Sequence, residues 1–147
     1  NDRKSLCKYG IEPKILIEPL MRDDINKNAK EIQSYCFDGI VKIMFILYGN
    51  NTQTIYNSDL NLTDDIFCST EKIIPEQADK LVKKAAALSE KLAKNFLFVR
   101  VDFMIFQNKL YFEELTFTPY SGFHKFQNKK DGLKYGNLLN LKGYINE

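Results

Sequence analysis

One alternating stretch in the C-terminal third limits the fold of this chain more than any other. Phe98-Val-Arg-Val-Asp-Phe103 leads through a short turn into Leu110-Tyr-Phe-Glu-Glu-Leu-Thr-Phe-Thr-Pro119. β-Branched and aromatic residues on both sides of a polar turn predict a β-hairpin. Successive strand side chains point to opposite faces. Arg100 and Asp102 therefore share a face of the first arm, and Phe112, Glu114 and Thr116 share a face of the second. A three-residue loop, Gln107-Asn108-Lys109, sets Phe106 across from Leu110, Asp102 across from Glu114 and Arg100 across from Thr116. A two-residue loop would put the two carboxylates on opposite faces.

In the three-residue register the carboxylates stand roughly 5 Å apart. At an effective dielectric of ~20 they repel by roughly 3 kcal/mol. A positive charge must offset that, and two sources are open. Arg100 is one, which makes the hairpin an ordinary arginine–carboxylate cluster. A divalent cation is the other, since Mg²⁺ takes oxygen ligands, one or two of them carboxylates, and fills its shell with water and phosphate.

The 147 residues, 44% of them hydrophobic, suffice for one sizeable core, and a single domain over residues 1–147 is expected. Basic and acidic residues number 21 and 19 and are interspersed, so no nucleic-acid footprint is expected. Cys7, Cys36 and Cys68 are odd in number and form no CxxC pair, which fits a reducing compartment better than a disulfide framework or a zinc site. Cys36 lies in an apolar strand and reads as a buried thiol. The longest apolar run, residues 43–48, is too short to span a bilayer. With no signal peptide at the start, a cytoplasmic location is the default expectation. The chain opens on Asn1 rather than Met, and its first residues carry no start-of-domain pattern, which points to a portion of something longer.

Along the chain, residues 14–20 read as a short apolar strand and residues 21–30 as a polar loop. Residues 32–38 and 41–48 flank Asp38-Gly39, a strong hairpin signal. Residues 57–70 read as loop with at most one short strand. Pro75 opens a helix whose apolar residues Ala78, Leu81, Val82, Ala85, Leu88 and Leu92 recur at helical spacing. A short helix near residues 133–139 completes the tail. The expected class is α+β, a mostly antiparallel sheet with one long amphipathic helix.

Other chemistries fit poorly. His124 is the single histidine, which leaves a zinc site or a Ser/Cys–His hydrolase without partners. Asp23-Asp24 and Asp64-Asp65 sit in polar stretches and read as solvated surface rather than as a sugar-nucleotide metal motif. A glycosidase needs a carboxyl with a raised pKa, which a neighbouring Arg100 opposes.

The order of these pieces resembles the C-terminal part of an ATP-grasp enzyme, and more narrowly the TupA-like branch associated with teichuronopeptide and cell-surface polysaccharide synthesis. The resemblance rests on Lys14-Ile-Leu-Ile-Glu18, Ser34-Tyr-Cys-Phe-Asp-Gly39, Ala86-Ala-Leu-Ser-Glu-Lys-Leu92, Val99-Arg-Val-Asp-Phe103 and Glu114-Leu-Thr-Phe-Thr-Pro119. It implies ATP and Mg²⁺ as cofactors, with Asp102 and Glu114 as metal ligands. Thr116 stands where most ATP-grasp proteins carry an asparagine. Arg100 would steady the transferred phosphoryl group, and Ser121-Gly122 would form the backbone turn near the acceptor, with Tyr120 where a small residue is expected. The strand ending at Glu18 would be the adenine hinge, read by the Pro19 carbonyl and the Met21 amide. Glu31 would bind ribose hydroxyls, and Phe112 would lie on the nucleotide side.

The implied activity is carboxylate–amine ligation with a glycan- or amino-acid-type acceptor. A glycosyltransferase using a nucleotide-sugar and a non-catalytic nucleotide-binding remnant are the alternatives. The phosphate-gripping lysines of the superfamily precede the hinge and have no counterpart in this sequence, so a partial ATP-grasp domain is expected.

Overall fold

Asp38-Gly39 reverses the chain between two runs of β-branched and aromatic residues, and a wide sheet grows outward from that hairpin. The computed structural model describes residues 14–15, 17–18, 22–23, 27–28, 30–48, 52–63, 71–72, 80–123 and 129–142. Its strands are β1 (Arg22–Asp23), β2 (Lys27–Asn28), β3 (Lys30–Phe37), β4 (Ile40–Leu47), β5 (Thr52–Asn57), β6 (Glu71–Lys72), β7 (Phe98–Phe106) and β8 (Lys109–Thr116). Its α-helices are α1 (Lys80–Ala93) and α2 (Lys129–Gly136), with a 3₁₀ turn at Pro119–Gly122 between β8 and α2. The main sheet has the order β6-β5-β4-β3-β7-β8, antiparallel except for the β5–β6 pair. The expected α+β class therefore stands; α2 at Lys129–Gly136 overlaps the short tail helix expected near 133–139 but begins earlier.

Strand alternation gives the sheet two faces. On one, Ile32, Cys36, Met44, Val99, Val101 and Phe103 pack with Val82, Ala85 and Ala93 of α1. On the other, Tyr35, Phe37, Ile43, Phe45 and Ile55 pack with Tyr135 of α2 and with Leu138 and Leu139 beyond it. Both strand and helix periodicities are satisfied at once, which is the condition for a two-sided core.

The stripe that α1 buries is rotated from the expected one. Val82, Ala85, Ser89 and Ala93 are buried, whereas Leu92 is 42% exposed. Small residues at i, i+4 and i+8 let the helix axis approach the sheet, and the larger leucines move to its flanks. Cys36 is the buried thiol expected, its ionisation pushed up to about 12 by burial and next by Glu90.

Several expectations meet a different outcome. Lys14, Ile15, Ile17 and Glu18 form no strand, and Ile15 and Ile17 are 89% and 90% exposed. An apolar run becomes a strand only where a neighbour takes its backbone hydrogen bonds, and no described strand does so here. Residues 22–28, expected as loop, contain the small β1–β2 pair. The strand Thr52–Asn57 had no clear sequence signal, because its Thr and Gln residues mask its pairing with the apolar β4. The proposed start of α1 at Pro75, as well as Cys7, Cys68, Asp24, Asp64, Asp65 and His124, lies outside the described residues.

Two substitutions test this packing. Gly39 has φ +78°, and a Cβ there would lie 3.2 Å from the Lys94 Cα. Gly39→Ala should therefore lower the unfolding free energy by about 1–2 kcal/mol in urea titration. Ser89 Oγ is buried and has no hydrogen-bond partner among the described residues. Ser89→Ala should raise stability by about 1 kcal/mol, since it removes an unsatisfied hydroxyl and improves helix propensity.

Candidate functional site

The β7–β8 hairpin reaches the expected register by an unexpected route. Arg100 pairs with Thr116 and Asp102 with Glu114, yet Phe106 pairs with Lys109 and Ile105 with Leu110. The turn thus holds two residues, Gln107 and Asn108, with φ 47° and 58°. Two positive φ values give a turn whose twist matches that of the strands it joins. Such a turn alone would separate the carboxylates. The register shifts beyond Phe103, where Glu113 is the extra residue of a β-bulge, and the carboxylates come back to the same face.

This arrangement corrects one face assignment. Phe112 pairs with Phe103, the ring centroids 6.0 Å apart, on the α1 side of the sheet. It does not share a face with Glu114 and Thr116. Tyr111, paired with Met104, is the ring the hairpin presents on the carboxylate side. The apolar gain explains the bulge: Leu110 packs on the α1 core instead of standing among charges.

On the opposite face, Arg100 and Asp102 are buried, at 7% and 1% exposure. The guanidinium donates from Nε to Asp102 Oδ1 at 2.9 Å and from Nη2 to Oδ2 at 2.6 Å. Nη2 also donates to Glu114 Oε1 at 3.2 Å and lies 3.4 Å from Thr116 Oγ1. Thr116 donates to Glu114 Oε1 at 2.6 Å. The Tyr120 ring covers the guanidinium at 5.4 Å. Arg100 is thus the cation that offsets the paired carboxylates.

The third wall of the site comes from β3, whose Gln33 pairs with Asp102 and Tyr35 with Arg100. Gln33 donates to Glu31 at 2.6 Å, and Arg100 also bonds the Tyr35 hydroxyl. Gln33, Tyr35 and Tyr111 carry no site motif in the sequence. The alternation Glu31, Gln33, Tyr35 was visible, but not the strand it would meet.

The acids form an electrostatic cluster. Burial pushes the Asp102 carboxyl up to about 7 against the pull of Arg100, with Glu31 and Glu114 adding to the rise. Glu113 is also raised, first by burial and then by Glu31, with Glu18 contributing. Glu114 is lowered, chiefly by the Thr116 hydroxyl. Burial opposes the charge on Arg100, but the bond to Asp102 wins and its pKa rises. Of the residues predicted for the site, the structure brings together Arg100, Asp102, Glu114, Thr116 and Glu31, with Glu18 within electrostatic reach. Gly122 lies in the turn after β8 with φ 76°; Pro19 and Met21 lie outside the described residues.

The sequence model for TupA-like ATPgrasp matches residues 2–140. The chain belongs to the TupA-like ATP-grasp family. No curated protein and no solved structure matches it. No helix among the described residues is long and apolar enough to cross a membrane.

ATP-grasp proteins generally use ATP and Mg²⁺, and the donor chemistry here suits a partly hydrated Mg²⁺. Among the described residues no three His, Cys, Asp or Glu side chains form a metal group. A two-carboxylate site must therefore draw further ligands from water and phosphate. Arg100 already contacts both acids, but each carboxylate has about four acceptor sites, so both can be shared. Asp102 is enclosed, which leaves the Glu114 side, 56% exposed in its side chain, as the approach for an ion.

Asp102 also makes stability depend on pH in this TupA-like protein. Its carboxyl titrates near 3.8 when unfolded and near 7 when folded. Between those values the folded chain holds a proton the unfolded chain lacks, so raising the pH destabilises the fold. The melting temperature should fall from about pH 4 to pH 7, and Asp102→Asn should flatten that slope. Loss of the Glu114 contribution acts at lower pH, below the ordinary carboxylate range, and is separable.

Proposed function

We propose that this protein is part of an ATP-grasp carboxylate–amine ligase, in which a carboxylate is activated by phosphoryl transfer from ATP and then attacked by an amine. The observation that carries the reading is Arg100 held between Asp102 and Glu114 on one hairpin of a chain that belongs to the TupA-like family. Phosphoryl transfer requires positioning and charge compensation more than covalent chemistry by the protein. Asp102 and Glu114, with Thr116 beside them, would hold Mg²⁺; the ion would supply a charge clamp for phosphate oxygens. Arg100 is held in place from three sides and so meets developing negative charge without reorganising. Glu31, bonded by Gln33, would orient ribose hydroxyls, and Gly122 would contribute backbone to the acceptor turn. A role in cell-surface polysaccharide or teichuronopeptide synthesis, in the cytoplasm, is the context the family suggests.

A second reading, a nucleotide-binding remnant without turnover, draws on the same geometry. Arg100 contacts both carboxylates and so offsets their charge without any ion. Isothermal calorimetry with ATP and Mg²⁺ separates the possibilities. The ligase reading expects Mg²⁺-dependent ATP binding, weakened at least about tenfold in Glu114→Gln, a loss of 1.4 kcal/mol or more. ADP release on adding carboxylate and amine acceptors separates the ligase from the remnant. Equal ATP affinity with and without Mg²⁺, unchanged in Glu114→Gln, would remove the metal assignment.

A further inference from the structure

Next to Arg100, on the same face of the sheet, lies a cleft of about 270 Å³, lined in part by Gly122 of the acceptor turn, to which the chemistry above assigns no occupant. Its floor is the aromatic end of the sheet: Tyr35, Phe37 and Phe98, with Phe37 and Phe98 in ring contact at 5.0 Å. Tyr135 of α2 closes one side and Tyr120 of the turn after β8 closes another. Tyr35 and Tyr120 also touch Arg100, so the mouth of the cleft adjoins the guanidinium. Two glycines leave space along the wall: among the described residues, a Cβ at Gly122 or Gly136 would meet nothing within 4 Å.

Shape and chemistry narrow the occupant. A cavity of roughly 150 Å³ lined by apolar side chains holds a benzene molecule. The cleft is therefore large enough for one six-membered ring with a short chain. Its walls present carbon almost throughout. A sugar ring here would lose water from several hydroxyls and regain few partners, whereas a flat apolar ring matches the aromatic walls. Tyr120 and Ser121 stand in the left-handed region, at φ 52° and 54°. That region is unfavourable for residues other than glycine. A tyrosine kept in that conformation, half-exposed, over a buried arginine fits a wall built for a ligand.

We infer that this cleft binds the apolar ring of a carboxylic acid, with the carboxylate directed toward Arg100. That the bound acid is the substrate to be activated rests on the ligase reading; the binding itself does not require ATP.

The probe is 3-phenylpropionate, with glucuronate as the polar-ring comparison, observed by saturation-transfer NMR and titrated without nucleotide. Phenylpropionate should bind at about millimolar Kd, as expected for a ligand of its size, and glucuronate should not. Gly136→Leu should fill the cleft and weaken phenylpropionate at least about tenfold, with circular dichroism and melting temperature maintained. Tyr120→Gly relieves the left-handed conformation and opens the wall, so it should weaken the probe without loss of stability. No phenylpropionate binding to the wild type, equal binding of glucuronate, or wild-type affinity in both variants would overturn the inference. Mg²⁺·ATP titrations on the same Gly136→Leu protein should match the wild type. If phenylpropionate binds as expected and ATP does not bind at all, the ligase reading falls while the cleft assignment stands.

Discussion

A carboxylate and a guanidinium taken out of water together hold this site in one geometry. Asp102 is buried on β7, between β3 and the edge strand β8, where an isolated charge would cost far more than the fold could supply. Arg100 offsets it through bonds to both oxygens, and the remaining guanidinium contacts go to Glu114, Thr116 and Tyr35. Those contacts come from three adjacent strands. A shift of any one by a single residue would turn a partner to the other face and leave a buried charge exposed to nothing. The pair is weak as a source of net stability but strong as a selector of register.

The two faces of the sheet divide the work. The α1 side is dry and carries much of the apolar core, including Ile105, Leu110 and Leu115 around Val101 and Phe103. The other side changes character along its length, from acids near Glu31 and Glu114 through Arg100 to the rings around Tyr35 and Phe98. A polar band and an apolar band lie side by side on one rigid surface, and Arg100 is at their boundary. This arrangement lets one residue face both a phosphate-bearing cofactor and an organic acid.

Local chemistry was legible in the sequence and long-range pairing was not. Asp38-Gly39 announced its turn because positive φ there needs those residues, and both values are positive in the structure. The helix through Val82 and Ala85 announced itself by spacing, although its buried side could not be read from a stripe containing Leu92. The match of Asp102 to Glu114 and of Arg100 to Thr116 was readable, but for a loop one residue too long. Two irregularities, a shorter turn and a bulge at Glu113, cancel in the register and differ only in between. That is why the carboxylates were placed correctly and Phe112 was not. The contribution of β3 was hidden because its pairing with β7 joins segments far apart in the chain, and nothing in Glu31-Ile-Gln-Ser-Tyr35 names a partner.

The bulge at Glu113 has a consequence for how such hairpins can vary. Turn length and bulge act as two parity bits: flipping both leaves Asp102 facing Glu114 and reverses only residues 110–112. A related chain could therefore exchange Tyr111 for its neighbour on the ligand side, through a turn of different length, without moving Arg100, Asp102 or Glu114. The acids are fixed by the strand ends, while the ring beside them is set by the spacer. Variation in what the site accepts can be written in the turn, at a distance from the residues that carry the chemistry.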